Sequence, residues 1–250
     1  MFLVYIQNIL NEREMKTKKP SDILPEFPRM RHLPWKPNTE RGDLVLSEEE
    51  SQVIFEGKVY VQEKVDGSNC GMTIVDGQPL IRGRSKFIRK GYLPKTSATK
   101  QFASIFNWWH AQKKKFERLE KEAGPVSIYG EWMKAQHGMK YDRLPGWFIA
   151  FDLYDYDRCQ FIDTAKAHDI LDDCGFCTCP LLYQGRLSGY EQLDTLVNEN
   201  TEFAKDEQRE GLVVKVSDGD WLTHKFKMVR PGFKQGRLWN NDEMKVNSCG

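Results

Sequence analysis

At 250 residues, with 40% apolar and 29% charged side chains, the chain suits one large domain whose core needs no disulfide or metal staple. This composition excludes a disordered chain, and no apolar run approaches the roughly 20 residues of a membrane-spanning helix. Met1–Ile6 is too short for a signal-peptide core and has no basic lead, so a cytoplasmic protein with no membrane partner is expected.

Net charge is only +1, yet the charge is segregated. Between Gly77 and Phe116 there is no Asp or Glu, while Arg82, Arg84, Lys86, Arg89, Lys90, Lys95, Lys100 and Lys113–Lys115 recur. A second acid-free stretch, Trp221–Asn240, carries Lys225, Lys227, Arg230, Lys234 and Arg237. Aromatics interleave with both stretches (Phe87, Tyr92, Phe226, Phe233), which suits a polyanion partner; a solvated basic face is the alternative.

In chain order, residues 1–20 lack periodicity, and Met15 opens "MKTKKPSDILPEFPRM", which reads as an alternative start. Residues 20–43 are proline-rich and are expected to be extended. "KVYVQEKV" alternates as a strand, and "GMTIV" and "PLIRG" flank a hairpin turn at "DGQ". Residues 99–123 carry Phe102, Ile105, Phe106 and Trp109 on one helical face, stopped by Gly124-Pro125. "VSIYGEW" and "WFIAFDLYD" read as strands, and Asp163 can cap a helix that ends near Gly175. Ser188 and Glu191 have capping-box spacing for a further helix. "GLVVKVS" and "WLTHKFKMV" close the pattern as strands, and one α+β domain with antiparallel sheets and flanking helices fits best.

Six cysteines are present. Cys174, Cys177 and Cys179 cluster near His168, but no second ligand pair follows at zinc-finger distance, so plain reduced thiols are the favoured reading over a metal site.

The segment Glu63-Lys64-Val65-Asp66-Gly67-Ser68-Asn69 carries the chemistry. A lysine ends a strand and is followed by an Asp-Gly turn, which can hold an amine at a pocket mouth; Asp66 either joins that chemistry or only shapes the turn. A nucleophilic lysine must be neutral, and nearby cations with partial burial are expected to lower its pKa.

In these residues the chain resembles the lysine-adenylating polynucleotide ligases and mRNA capping enzymes. Five family motifs occur in order: Lys64–Gly67, Arg84 in "RGRSK", Glu131 in "YGEW" followed by Phe151 in "FIAFDLYD", Glu210–Lys215, and Lys225-Phe226-Lys227. Glu63 before the lysine and Asn69 after the motif are similar to the phage-type RNA ligases. The resemblance implies a nucleotidyltransferase fold (an ATP-grasp-like ligase adenylation fold) over residues 43–235. Residues 1–42 would form an extension and leader, and 236–250 a short tail. Only 23 residues follow Lys227, too few for the C-terminal OB-fold of DNA ligases and capping enzymes.

The implied activity is that of an ATP-dependent RNA ligase in RNA repair. It would join 5′-phosphate and 3′-hydroxyl ends of nicked or broken strands through a lysyl-AMP intermediate. Lys64 would be the nucleophile. Glu63, Asn69, Arg84, Glu131, Phe151, Glu210, Lys225 and Lys227 would bind the nucleotide, with Phe151 stacking on adenine. Glu131 and Glu210 would also hold Mg²⁺ or Mn²⁺. A protein partner replacing the OB domain is a further expectation. A DNA ligase, a capping guanylyltransferase and a non-catalytic nucleic-acid-binding module on a ligase scaffold are the alternatives.

Overall fold

The computed structural model describes residues 18–40, 42–91, 97–234 and 244–250. Met15, Tyr92, Lys95 and Arg237 lie outside the described residues. The leader is extended as its prolines require, apart from one helical turn, α1 (Pro20–Ile23), and a two-residue strand, β1 (Arg31–His32). Proline fits the start of α1 because that position needs no amide donor. Ser47 caps α2 (Glu48–Ser51) through reciprocal bonds with Glu50, and α3 (Val53–Glu56) follows.

The alternating stretches become β2 (Val59–Lys64), β3 (Ser68–Val75) and β4 (Gln78–Gly83). Between β3 and β4, Asp76 and Gly77 both take positive φ, the conformation of a type I′ hairpin. The helix expected over 99–123 is divided into α4 (Ser97–Lys100), α5 (Ile105–Ala111) and α6 (Lys113–Ala123). The break at Gln112 re-aims the chain so that Phe116 and Leu119 reach the same core as Ile105 and Trp109. Gly124, at φ 74, ends α6.

Next come β5 (Val126–Trp132), β6 (Phe148–Asp155), β7 (Gln160–Phe161) and the Asp163-capped α7 (Thr164–Asp173). They are followed by β8 (Cys177–Thr178), β9 (Leu181–Gly185), α8 (Tyr190–Val197), β10 (Gly211–Asp218) and β11 (Trp221–Val229). The Ser188–Glu191 capping box does not form. Gly189 is the N-cap, and the Ser188 amide and hydroxyl donate to Gln192 Oε1 instead, because the helix begins one residue late.

Two sheets result, one ordered β1-β11-β10-β2-β9 and the other β4-β3-β5-β6-β7 with β8 beside β6. Every pairing is antiparallel except the short β1–β11 and β6–β8 contacts. The fold is α+β, as expected, but β2 and β3 do not pair. They belong to different sheets, so Lys64–Gly67 is a crossover between layers and not a hairpin turn. One core lies between the second sheet and α5–α7, another covers the outer face of the first sheet, and a third fills the space around the crossover. No helix among the described residues is long and apolar enough to cross a membrane.

Candidate active site

Where the sheets meet, a cavity is walled by Lys64 and Val65, by Asn69 and Glu131, by Phe151 and Asp152, and by Val213, Lys215 and Lys227. Lys64 occupies the last position of β2, and its Nζ lies 2.5 Å from Glu210 Oε1. Two glycines make this approach feasible. A Cβ on Gly67 would meet Met133 Sδ at 2.7 Å and Trp132 O at 3.1 Å, so the crossover can press against β5, which carries Glu131. A Cβ on Gly211 would meet Met228 O at 2.2 Å, so only glycine lets Glu210 stand at the end of β10 beside Lys64. The K-x-D-G glycine therefore serves backbone packing.

Asp66 faces away from the cavity. Its carboxylate accepts from the Gly138 and Met139 amides, and its own amide donates to the Tyr141 hydroxyl at 2.9 Å. These bonds fix the crossover to the 133–144 loop.

The electrostatics reverse the expected sign for Lys64. Burial lowers its pKa, but the charges of Glu210, Asp66 and Glu131 outweigh that, and the net direction is up. The carboxyls move in turn: burial pushes Glu131 up to about 8 and Glu210 up to about 7, with Lys64 opposing in both. The acids beside the amine thus prevail over the cations, Arg84, Lys215 and Lys227, that line the same cavity.

Those acids also suit a divalent ion. Glu210 Oε2 is buried behind Lys64 and has no hydrogen-bond partner, and Glu131 lines the cavity that Lys64 borders. Among the described residues no cluster of three or more His, Cys, Asp or Glu side chains could hold a metal. Two carboxylates are nevertheless sufficient for magnesium, which keeps several waters and shares phosphate ligands.

Not every expected residue turns inward. Glu63 borders the cavity, but alternation along β2 sends its carboxylate to the opposite face from Lys64, where Thr201 Oγ1 donates at 2.6 Å and Arg209 Nε at 3.2 Å. Burial raises the Glu63 pKa, and these two partners oppose it. Lys225 does not line the cavity. Its Nζ donates to Asp152 Oδ2 at 2.9 Å and lies over the Phe161 and Phe27 rings, and burial brings its pKa down to about 8 against the pull of Asp152.

Lys215, which closes the E-G-x-V-x-K motif, lines the cavity instead. It is 1% exposed and donates to Asp152 Oδ1 at 2.6 Å and to the Phe151 carbonyl at 2.8 Å. Lys227 lines the cavity as expected and donates to Asp43 Oδ1 at 2.8 Å, while Asp43 also contacts His32. Burial opposes it, but the Lys227 bond and others bring the Asp43 carboxyl down to about 2.

Residues outside the motifs also contribute. Phe27, Pro28 and Met30 of the leader border the cavity, and the Phe27 ring meets Phe151 edge-on at 5.2 Å. Gln62, two residues before Lys64 and on the same face, lines it too. The grouped cysteines meet separate neighbours: Cys174 donates to Glu122, Cys177 to the Pro145 carbonyl, and Cys179 is buried beside the cavity.

The model of the RNA ligase family matches residues 57–234. Among solved structures, the chain is similar to a Naegleria gruberi RNA ligase with PPi, at 22% identity and TM-score 0.52, over 71% of this chain and 51% of that one. A lysine-to-methionine mutant of the Naegleria gruberi RNA ligase with AMP and Mn is 25% identical, with TM-score 0.52, over 71% and 52% of the two chains. A glutamate-to-alanine mutant of it with ATP and Mn gives TM-score 0.57 at 18% identity, over 86% and 62%. The chain thus spans about half the length of the first of these relatives. No curated protein matches it. With the family model covering most of the chain, over the crossover, the acids beside Lys64 and both cation-bearing strands, this protein belongs to the RNA ligase family.

Proposed function

We propose that the protein is an ATP-dependent RNA ligase acting in RNA repair, with Lys64 as the residue that carries AMP. The observation that carries this reading is the Lys64 amine in the wall of a cavity lined by Glu131, Lys215 and Lys227, and bonded to Glu210, whose second oxygen has no partner. Support also comes from the Naegleria relatives solved with PPi, with AMP and Mn, and with ATP and Mn.

In this reading adenine stacks on Phe151 in the slot bordered by Val213, and Arg84, Lys215 and Lys227 face the ribose and phosphates. Asn69 holds Glu131 and the nucleotide edge. When bound, Mg²⁺ or Mn²⁺ would be held by Glu131 and Glu210 and would neutralise charge on the phosphates and on these two acids. Glu210, the acid bonded to the amine, holds a proton on Lys64 in the ligand-free protein, and once engaged elsewhere it ceases to do so. The neutral Nζ bonds to the α-phosphorus as pyrophosphate leaves. An oxygen of the strand's 5′-phosphate then attacks that phosphorus, breaking the P–N bond and returning the amine. Finally the 3′-hydroxyl oxygen attacks the 5′-phosphorus, forming the phosphodiester and expelling AMP. A protein partner that completes the grip on the strand belongs to the same proposal.

The test is retention of label. Wild-type protein incubated with α-labelled ATP and Mg²⁺ should keep label after denaturation, and Lys64→Ala should keep none. Label from GTP alone, or label that survives Lys64→Ala, would sink this reading. Nicks with RNA at the 3′-hydroxyl side should be sealed in preference to all-DNA nicks.

A further inference from the structure

The nucleotide cavity shares Arg84 with a second cavity of about 280 Å³. Phe87, Phe102 and Phe106 wall this neighbour, and the charged residues that line it are Arg84, Lys86 and Arg89, all exposed. Among the described residues no carboxylate lines it. Its walls are braced. Phe102 and Phe106 lean on the main core, Phe87 packs with the leader cluster, and the Gly83 amide bonds the Lys86 carbonyl at 2.9 Å across the turn that carries Arg84.

A slot with aromatic walls and a cationic rim fits a ligand with a flat apolar body and phosphates, which is a nucleotide of a single strand or strand end. The chemistry selects which nucleotide. For AMP to leave Lys64, an oxygen of a strand's 5′-phosphate must form a bond to the α-phosphorus while the P–N bond breaks. The residue bearing that phosphate must therefore sit beside the nucleotide cavity, and Arg84 is the wall between the two spaces. We propose that the Phe87–Phe102–Phe106 slot receives the 5′-terminal nucleoside of the RNA strand to be adenylated, with Arg84 on its 5′-phosphate and Lys86 and Arg89 on the phosphates that follow. The proposal rests on the ligase reading above and names the part of the substrate that this side of the site holds.

The test separates the two. Enzyme preloaded with labelled ATP and freed of pyrophosphate is mixed with a nicked duplex whose 5′-phosphorylated strand is RNA. In the double variant Lys86→Glu/Arg89→Glu, loading of Lys64 should stay within about twofold of wild type. Transfer of AMP to limiting RNA should fall by about tenfold or more, with a shallower salt dependence, because two phosphate contacts are lost. In wild-type protein, 5-iodouridine at the 5′-terminal position should photo-crosslink to a peptide containing Phe87, Phe102 or Phe106. Unchanged transfer in the double variant, or crosslinks only to peptides outside residues 83–106, would overturn the slot while leaving the ligase reading intact. No label on Lys64 would overturn both.

Discussion

At the scale of single residues, the acids around Lys64 make a prediction of definite sign. Burial pushes the Glu131 carboxyl up to about 8, although Lys64 pulls it down. In the unfolded chain the same group titrates near ~4.3. Between those values the folded protein keeps a proton that the unfolded chain has released. The stability that protonated Glu131 contributes is therefore full at low pH and is lost as pH rises through about 8. Glu131→Gln has no proton to lose. The melting temperature of ligand-free wild type should fall more steeply than that of Glu131→Gln between about pH 6 and 9, while the variant loads AMP poorly throughout. Parallel melting profiles would show that Glu131 is ionised in the folded state. Of this site, the sequence showed the motif side chains, because their order and spacing are linear facts. It did not show that Lys215 and not Lys225 faces the cavity, since both lie on the face that converges on Asp152. Only the position of β6 decides which one borders the space.

Among elements, the crossover after β2 depends on a segment far away in the chain. Asn247, 4% exposed, accepts from the Tyr141 amide at 2.9 Å and donates to the Met133 and Ala135 carbonyls at 2.7 and 3.2 Å. Tyr141 in turn receives the Asp66 amide. The 244–250 segment thus braces the loop that holds the turn carrying Lys64, with bridges at Ala135–Val246 and Leu144–Cys249 as further ties. Asn247 is a positioning residue, because misplacing a nucleophile by a fraction of an ångström slows chemistry more than it weakens binding. Asn247→Ala should lower the rate of Lys64 loading by about tenfold with little change in the KM for ATP, and Asn247→Asp should recover part of it. Tyr141→Phe should reproduce the defect, and combining the two should add little, since both cut one chain of bonds. A rise in KM with an unchanged rate would place Asn247 outside this path. Nothing in the sequence near Asn247 announced the role. The strands were legible from their alternation, but alternation says nothing about partners, so the separation of β2 and β3 into two sheets was not visible. The leader residues at the cavity were equally silent, because Phe27 and Met30 look like any apolar pair in a proline-rich stretch.

For the whole molecule, a net charge of +1 conceals a division of labour. The lysines nearest the chemistry are paired with acids inside the fold: Lys64 with Glu210, Lys215 and Lys225 sharing Asp152, and Lys227 with Asp43. The cations of the 84–90 turn are exposed, and no acid occurs in the sequence from Gly77 to Phe116 to offset them. The two steps should therefore respond differently to salt. Buried pairs are screened little, whereas exposed cations that meet a strand release its condensed counterions on binding. Loading of Lys64 should decline gently between about 50 and 200 mM salt, while sealing of a nicked RNA duplex should fall by a factor of ten or more over that range. Measuring both on one preparation checks this directly. Equal slopes for the two reactions would mean that the exposed basic turn takes no part in holding the strand, and that the grip lies on surfaces where charge is already balanced.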